Sequence, residues 1–119
     1  MKALFDTNIL IDYLAGVEEA EAELKRYRDR FISVVTWVEV LVGARSVEEE
    51  DVVELFLRDF QVVDLTRAVA REAVSIRRSM KMRLPDAIIL ASARTRSALL
   101  VTRDTKDFPK ADPAVRVPY

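Results

Sequence analysis

The chain has 119 residues, half of them hydrophobic, which is enough for one compact domain with its own core. It has 19 basic and 20 acidic side chains, and the net charge of -1 gives no overall attraction to nucleic acid or to acidic membranes. Cysteine and histidine are absent, which excludes disulfides, thiolate nucleophiles, imidazole catalysis and the usual zinc sites, so any catalysis must rest on carboxylates.

The first predicted elements are a short strand and two helices. Lys2–Phe5 is expected to be the strand and Thr7–Ala15 the first helix, which Gly16 can end in a left-handed conformation. The spacing of apolar residues predicts the second helix over about Glu18–Arg30. Asp6 therefore lies at the junction of the first strand and the first helix.

The middle of the chain is predicted to alternate strands and helices. A buried strand is expected at Phe31–Val34, and Thr36 and Glu39 have the spacing of a capping box that opens a helix ended by Gly43. The next predicted elements are a helix opened by a second capping box at Ser46 and Glu49, a strand at Gln61–Asp64 and a helix capped by Thr66 that runs to about Met80.

The last third of the chain contains the most apolar helix. Pro85 suits the first turn of a helix through Arg94 that is nearly apolar around its circumference, which indicates a central position. A strand follows at Ala98–Val101, and Val115–Val117 can add an edge strand. This alternation predicts an α/β fold, with a mainly parallel central sheet covered by helices on both faces. We expect residues 1–119 to form a single domain.

Four acidic residues are predicted to meet at one edge of this sheet. Asp6 and Asp104 each directly follow a predicted strand, while Glu39 and Asp86 lie in the first turns of predicted helices. Ligands of parallel sheets collect at the carboxyl ends of the strands, because successive loops and helix starts converge there. The four carboxylates are therefore candidates for one site.

Each of these acids also has a purely structural interpretation. Asp6 can cap a helix, Glu39 can complete its capping box, and Asp86 can favour the helix dipole. Asp104 and Asp107 can be solvated turn residues. Apolar neighbours nevertheless predict that Glu39 and Asp86 are buried, where an unpaired carboxylate is costly.

A cluster of these carboxylates would need a divalent cation. Carboxylates brought close together raise each other's pKa values unless such a cation neutralises them. Mg²⁺ and Mn²⁺ prefer oxygen ligands, activate water and stabilise charge that develops on a phosphate. Such a site is suited to the hydrolysis of phosphodiester bonds.

Four segments resemble the four acidic blocks of PIN domains, in the order typical of that family. They are Phe5–Leu10, Ile32–Glu39 with Gly43, Leu84–Ala91 and Val101–Phe108. Together they form a specific match that spans nearly the whole chain. The short length and the ending Thr-Arg-Asp-x-x-Asp-Phe most resemble the VapC toxins of toxin-antitoxin pairs.

The resemblance implies a PIN-like three-layer sandwich, endoribonuclease activity and a Mg²⁺ or Mn²⁺ site. In the family, the metal site would be formed by residues at the positions of Asp6, Glu39, Asp86 and Asp104, with support from Asn8, Thr102 and Asp107. The last block varies among relatives, so either Asp104 or Asp107 can be the nearer metal ligand. The resemblance also implies an RNA substrate, a homodimer and an antitoxin whose tail obstructs the acidic site.

Basic residues near the acidic blocks are candidates for contacts with RNA phosphates. Arg103 and Lys106 lie within the last block, and four more precede Asp86 in the sequence, namely Arg77, Arg78, Lys81 and Arg83. Most of the latter can equally belong to a solvated helix face. By the same reasoning, Asn8 can simply begin a helix and Thr102 end a strand.

Two other functions fit parts of the pattern. An aspartate-nucleophile phosphatase would use Asp6 at the end of the first strand, but that chemistry needs a second acid two residues later, where Asn8 stands. A PIN fold can also bind RNA or protein without cleaving it. The intact set of acids favours the enzyme over this binding module.

The sequence also predicts where the protein is found. The N-terminal segment lacks the apolar run of a signal peptide, and no segment reaches the roughly 20 apolar residues of a membrane span, so we expect a cytoplasmic protein. Asn8 is the only asparagine, Gln61 is the only glutamine, and arginine outnumbers lysine, which is compatible with a thermophilic source.

Overall fold

The computed structural model describes residues 1–119 and contains five strands and six helices. The strands are β1 Lys2–Phe5, β2 Asp29–Ser33, β3 Gln61–Val63, β4 Leu99–Val101 and β5 Val115–Arg116. The helices are α1 Thr7–Leu14, α2 Glu18–Lys25, α3 Val34–Val42, α4 Val47–Leu57, α5 Arg67–Ser79 and α6 Leu84–Thr95. None of the helices combines the length and the hydropathy needed to cross a membrane.

All strand pairs are parallel, and the sheet has the order β3-β2-β1-β4-β5. The chain builds outwards from β1 in one direction through β2 and β3, and later in the other direction through β4 and β5. The order therefore reverses between β1 and β4, and crevices of this kind hold the ligands of parallel sheets. Asp6 follows β1 and Thr102 follows β4, so both lie at this reversal.

Helices cover both faces of the sheet, as the sequence predicts, and each face has its own apolar core. Leu4 of β1 packs with residues of α5 and α6 on one face. Ala3 and Phe5, which alternate with Leu4 along the strand, pack with residues of α1 to α4 on the other face. The result is the predicted three-layer α/β architecture with β1 buried between two cores.

Most predicted elements are confirmed. Gly16 follows α1 with a φ of 87°, which is the left-handed conformation expected of it. Thr66 caps α5 by accepting a hydrogen bond from the Val69 N–H, and Ser46 caps α4 by accepting one from the Glu49 N–H. Val115–Arg116 forms the expected edge strand.

The predicted end of the second helix is wrong. Helix α2 ends at Lys25, and the strand that was expected to start at Phe31 already starts at Asp29. Asp29 and Arg30 pair with Lys2 and Ala3 of β1, so their backbone groups belong to the sheet. A long-range strand pairing thus outweighs the local helical pattern.

The predicted capping box of the third helix is also wrong. Helix α3 begins at Val34, directly after β2, because the Ser33 hydroxyl accepts a hydrogen bond from the Val35 N–H at 3.1 Å and caps the helix there. Thr36 lies inside the helix and is fully buried, where its hydroxyl lies 3.0 Å from that of Thr7, within hydrogen-bond distance. The helix ends at Gly43, as predicted.

Candidate active site

Three aspartates meet at the reversal of the sheet order. Each of Asp86, Asp104 and Asp107 offers one carboxylate oxygen, and these oxygens all lie within 4.8 Å of one another. Asp86 lies in the first turn of α6 beside Pro85, and only 7% of its surface is exposed. Asp104 and Asp107 lie in the loop that follows β4. This arrangement brings together acids that are about 20 residues apart in the sequence.

The loop after β4 is held in shape by its own hydrogen bonds. Asp104 Oδ1 accepts hydrogen bonds from the N–H groups of Lys106 and Asp107, both at 3.0 Å, and the Asp104 N–H donates to Thr102 Oγ1 at 2.9 Å. Burial opposes the charged form of Asp104, but the N–H donors outweigh it and hold its pKa below the ordinary value. The pKa of Asp107 is raised, mainly because its side chain forms a hydrogen bond with that of Asp104. Both residues of the last acidic block therefore belong to the cluster.

Asp6 lies beside this cluster and is 5% exposed. Its Oδ1 caps α1 by accepting a hydrogen bond from the Thr7 N–H at 2.8 Å. Burial raises its pKa to about 6; hydrogen bonds from Thr102 and Thr7 oppose this shift, while the negative charges of Asp86 and Asp104 add to it. The capping and the site interpretations of Asp6 are thus compatible.

Asn8 and Thr102 hold Asp6 and connect it to the loop after β4. Asp6 Oδ2 accepts hydrogen bonds from Thr102 Oγ1 at 2.7 Å and from Asn8 Nδ2 at 3.2 Å. Asn8 Oδ1 accepts a hydrogen bond from the Arg103 N–H at 3.2 Å. The only asparagine of the chain therefore joins the end of β1 to the end of β4.

Glu39 is not part of the three-aspartate cluster, and the prediction that it is buried is wrong. Thr36 and Val40 lie on the buried side of α3, and Glu39 lies on its exposed side. Glu39 Oε1 accepts a hydrogen bond from Thr7 Oγ1 at 2.6 Å, and the Thr7 N–H in turn contacts Asp6. Thr7 therefore connects Glu39 to Asp6. The sequence analysis missed this role, although Thr7 is a hydroxyl residue that directly follows Asp6 in the chain.

Arg83 is the one basic side chain that forms a salt bridge with the cluster. Its Nε and Nη2 each lie 3.3 Å from Asp86 Oδ2, and its Nη2 lies 3.9 Å from Asp107 Oδ2. Burial raises the pKa of Asp86, and the positive charge of Arg83 opposes this shift. The structure thus separates Arg83 from the other basic residues that precede Asp86.

The two basic residues of the last acidic block have different surroundings. Arg103 forms a two-pronged salt bridge with Asp12 of α1, with Nε–Oδ2 and Nη2–Oδ1 distances of 2.6 and 3.1 Å. The Tyr119 hydroxyl also donates to Asp12 Oδ2, at 2.7 Å. Lys106 is exposed and forms no salt bridge. Of the two candidates for RNA contacts, Lys106 is the one whose charge is unpaired.

An apolar groove of about 850 Å³ lies between α1, α3 and α4. Its apolar wall includes side chains that are exposed to solvent, among them Ile11, Leu14 and Val52. Glu39 and Arg45 also line it. Glu39 therefore borders the groove and is connected to Asp6 through Thr7.

The donor set fits a hard divalent cation. Three carboxylates offer oxygens within 4.8 Å of one another, Asp6 lies beside them, and Arg83 is the one arginine that pairs with the three. All candidate ligands are oxygens, since the chain has no histidine or cysteine. Mg²⁺ and Mn²⁺ prefer such a set, whereas zinc favours nitrogen and sulfur ligands. The residues present are therefore suited to Mg²⁺ or Mn²⁺.

Similarity to known proteins extends over the whole chain. The model of the PIN domain family matches residues 3–113. A chain from a toxin-antitoxin complex of Klebsiella pneumoniae is 42% identical, with a TM-score of 0.93 over 99% of this chain and 98% of that chain. A chain of FitAcB from Neisseria gonorrhoeae is 26% identical, with a TM-score of 0.81 over 98% of this chain and 97% of that chain.

A further solved structure shares the fold at lower sequence identity. It is a chain of DNA-bound VapBC from Salmonella typhimurium, which is 24% identical, with a TM-score of 0.82 over 98% of this chain and 96% of that chain. No curated protein sequence matches the chain. The match to the family model and the Klebsiella relative both span nearly the full length, and the chain belongs to the PIN domain family.

Proposed function

We propose that the protein is a cytoplasmic, metal-dependent endoribonuclease and the toxin component of a VapBC-type toxin-antitoxin system. The observation that carries this proposal is the meeting of Asp86, Asp104 and Asp107 within 4.8 Å at the reversal of the sheet order. Together with Asp6 they concentrate negative charge around one point, an arrangement that is costly unless a cation occupies it. Phosphodiester hydrolysis is a reaction that such a site supports.

In this proposal, Asp86, Asp104 and Asp107 hold Mg²⁺ or Mn²⁺, and Asp6 lies beside them. When bound, the cation lowers the cost of deprotonating water and neutralises charge on the phosphate. The hydrogen bonds from Thr102 and Thr7 fix the direction of the Asp6 carboxylate. Glu39 is placed further out and reaches Asp6 only through Thr7.

The reaction that we propose is the hydrolysis of RNA by water. The carboxylates accept hydrogen bonds from the attacking water and align it with the phosphorus atom. The water oxygen bonds to phosphorus as the bond to the 3′ oxygen of the neighbouring nucleotide breaks, which leaves a 5′-phosphate and a 3′-hydroxyl. The attacking water gives up a proton to solvent, and the 3′ oxygen takes one from solvent as it leaves, so the protons balance.

The proposed partners are a cognate antitoxin and a second copy of the chain. Support for the antitoxin comes from the solved relatives, which include chains of toxin-antitoxin complexes, and from the apolar groove between α1, α3 and α4. An apolar antitoxin segment in this groove would lie next to Glu39. An arginine of that segment would suit the nearby carboxylates.

A non-catalytic PIN domain that binds protein or RNA is the second candidate, and the apolar groove favours it. Cleavage of a mixed RNA pool in the presence of Mn²⁺ separates the two functions. We expect the wild type to cleave, and Asp86→Asn to cleave roughly 100-fold more slowly because a ligand of the cation is lost.

The matched control is Asp59→Asn, which removes the same charge from an exposed residue outside the site. It should cleave at the wild-type rate. Absence of Mn²⁺-dependent cleavage by folded wild-type protein would overturn the enzyme and leave the binding module.

A further inference from the structure

Arg83 pairs with the acidic cluster from an exposed position. It directly precedes α6, and its side chain is 73% exposed. It forms salt bridges with Asp86 and Asp107, and its positive charge also lowers the pKa of Asp104. No other basic side chain forms a salt bridge with these three acids.

The contacts of Arg83 are looser than those of Arg103 and Arg116, the two arginines that form two-pronged pairs. Its closest distances to Asp86 Oδ2 are 3.3 Å, and both are made to one oxygen. Arg103 and Arg116 instead form two-pronged pairs, with shortest distances of 2.6 Å to Asp12 and 2.7 Å to Glu23. Strong charge-assisted hydrogen bonds are about 2.7–2.9 Å long. Arg83 is therefore held mainly by the general negative charge of the cluster.

A divalent cation on the same aspartates would remove the reason for this contact. The cation and Arg83 both neutralise Asp86 and Asp107, so each weakens the binding of the other. Because Arg83 directly precedes α6 and is exposed, it would stay near Asp86 on the solvent side of the site after leaving that carboxylate. Its planar guanidinium matches the geometry of phosphate oxygens.

We propose that Arg83 exchanges partners, pairing with Asp86 and Asp107 in the metal-free protein and with a phosphate of the RNA once a cation holds the aspartates. This inference rests on the proposed function and identifies a residue that contacts the substrate. It assigns two opposite effects to one side chain. Arg83 lowers the affinity for the cation and raises the affinity for RNA.

The first arm of the test measures Mn²⁺ binding by electron paramagnetic resonance, without RNA. Arg83→Gln should bind Mn²⁺ about two- to fivefold more tightly, because a competing positive charge is removed from an exposed position. Arg83→Lys, which keeps the charge, should stay near the wild type. The control is Arg67→Gln, which removes the charge of an exposed arginine at the start of α5. The residues around it lie near the end of α6, whereas Asp86 lies at the start of that helix, so Mn²⁺ binding should not change.

The second arm measures binding of a fluorescently labelled single-stranded RNA in the presence of Mn²⁺. It uses the Asp6→Asn background to suppress cleavage, since this change leaves the three clustered aspartates and Arg83 in place. Arg83→Gln should weaken binding about 5- to 10-fold and reduce the salt dependence by about one phosphate contact. The RNA affinity of Arg83→Lys should lie between those of Asp6→Asn and of Arg83→Gln in that background. Arg67→Gln should bind RNA as tightly as Asp6→Asn alone.

The outcomes are distinguishable. If Arg83→Gln weakens the binding of both Mn²⁺ and RNA, Arg83 merely braces the start of α6 and the proposal is overturned. Unchanged RNA binding by Arg83→Gln also overturns it, while the proposed function stands as long as the wild type cleaves RNA. A wild type that neither binds nor cleaves RNA overturns both.

Discussion

At the residue scale, the Asp6 carboxyl is buried among groups of its own charge. Thr102, Asn8 and the Thr7 N–H donate hydrogen bonds to it, but they only partly offset the loss of hydration, and its pKa rises from the ordinary 3.8 to about 6. The folded protein therefore holds a proton on Asp6 at pH values where the unfolded chain has released it. In the metal-free protein, the contribution of Asp6 to the free energy of unfolding should therefore fall as the pH rises from about 4 to about 6.

Asp6→Asn tests this cost. In EDTA, the free energy of unfolding of the variant relative to the wild type should increase between pH 4 and pH 7, by up to roughly 3 kcal/mol for a shift of this size. Urea unfolding at the two pH values measures the change. A difference between variant and wild type that is independent of pH would contradict the raised pKa.

Arg103 is expected to act through Asp104, its neighbour in the chain. Asn8 accepts a hydrogen bond from the Arg103 N–H. Asp12, one turn further along α1, forms a salt bridge with the Arg103 guanidinium. Arg103→Gln should free the loop after β4, weaken Mn²⁺ binding severalfold and lower the free energy of unfolding by about 1 kcal/mol.

Calorimetric titration with Mn²⁺ measures the effect, and Arg67→Gln is the control because it removes an exposed arginine at the start of α5, outside the site. Asp12→Asn should weaken Mn²⁺ binding to a similar extent, and the double variant should be little worse than either single one. Additive losses would show that Arg103 and Asp12 act separately.

At the element scale, local signals predict the parts of the site that begin helices. Asp6 between β1 and α1, and Pro85 with Asp86 at the start of α6, are recognised because each junction has its own capping or proline signal in the sequence. The end of α2 could not be found this way, because Asp29 and Arg30 join β1 through a pairing that is distant in sequence. The short spacing of Thr36 and Glu39 imitated a cap that Ser33 supplies instead.

The same reasoning explains which site residues the sequence left uncertain. Asp107 was predicted as a supporting residue, yet its oxygen lies with those of Asp86 and Asp104. Its position depends on the turn in which Asp104 Oδ1 accepts two N–H groups. An aspartate favours such a turn, but the sequence does not specify where the turn places the Asp107 side chain. Glu39 was expected in the first turn of its helix. Because α3 already starts at Val34, Glu39 lies in the second turn instead, outside the cluster.

Substitutions in α3 distinguish the two possible caps. Ser33→Ala should lower the free energy of unfolding by about 1 kcal/mol, because the Val35 N–H loses its acceptor. Glu39→Ala should change it by no more than about 0.5 kcal/mol, because Glu39 is exposed and caps nothing. Chemical unfolding of both variants provides the measurement, and a Ser33→Ala variant as stable as the wild type would contradict the assignment of Ser33 as the cap.

At the scale of the whole molecule, a net charge of -1 conceals an uneven distribution. Acidic side chains converge at the reversal of the sheet order, while several arginines of α5 lie elsewhere on the surface. Attraction of a cation and of RNA can therefore occur in one small protein without a large overall charge. Added salt should weaken RNA binding more than binding of the cation at the partly buried aspartates.

The composition predicts a high thermal midpoint. The chain contains one asparagine and one glutamine, and a third of its residues are charged. Metal-free protein should therefore unfold above the range of about 45–65 °C that is common for mesophilic domains. Differential scanning calorimetry measures this, and a midpoint within that range would argue against a thermophilic source.

The central strand β1 also determines how the molecule opens. Its neighbours β2 and β4 flank it on both sides, and separate cores cover its two faces. Peptide hydrogens in such a strand become accessible to deuterium only when both layers come apart, so their exchange follows global unfolding. Hydrogens in the loop after β4 can exchange through local fluctuations, and a single isotope-labelling experiment can separate the tightening of this loop by a ligand from stabilisation of the whole protein.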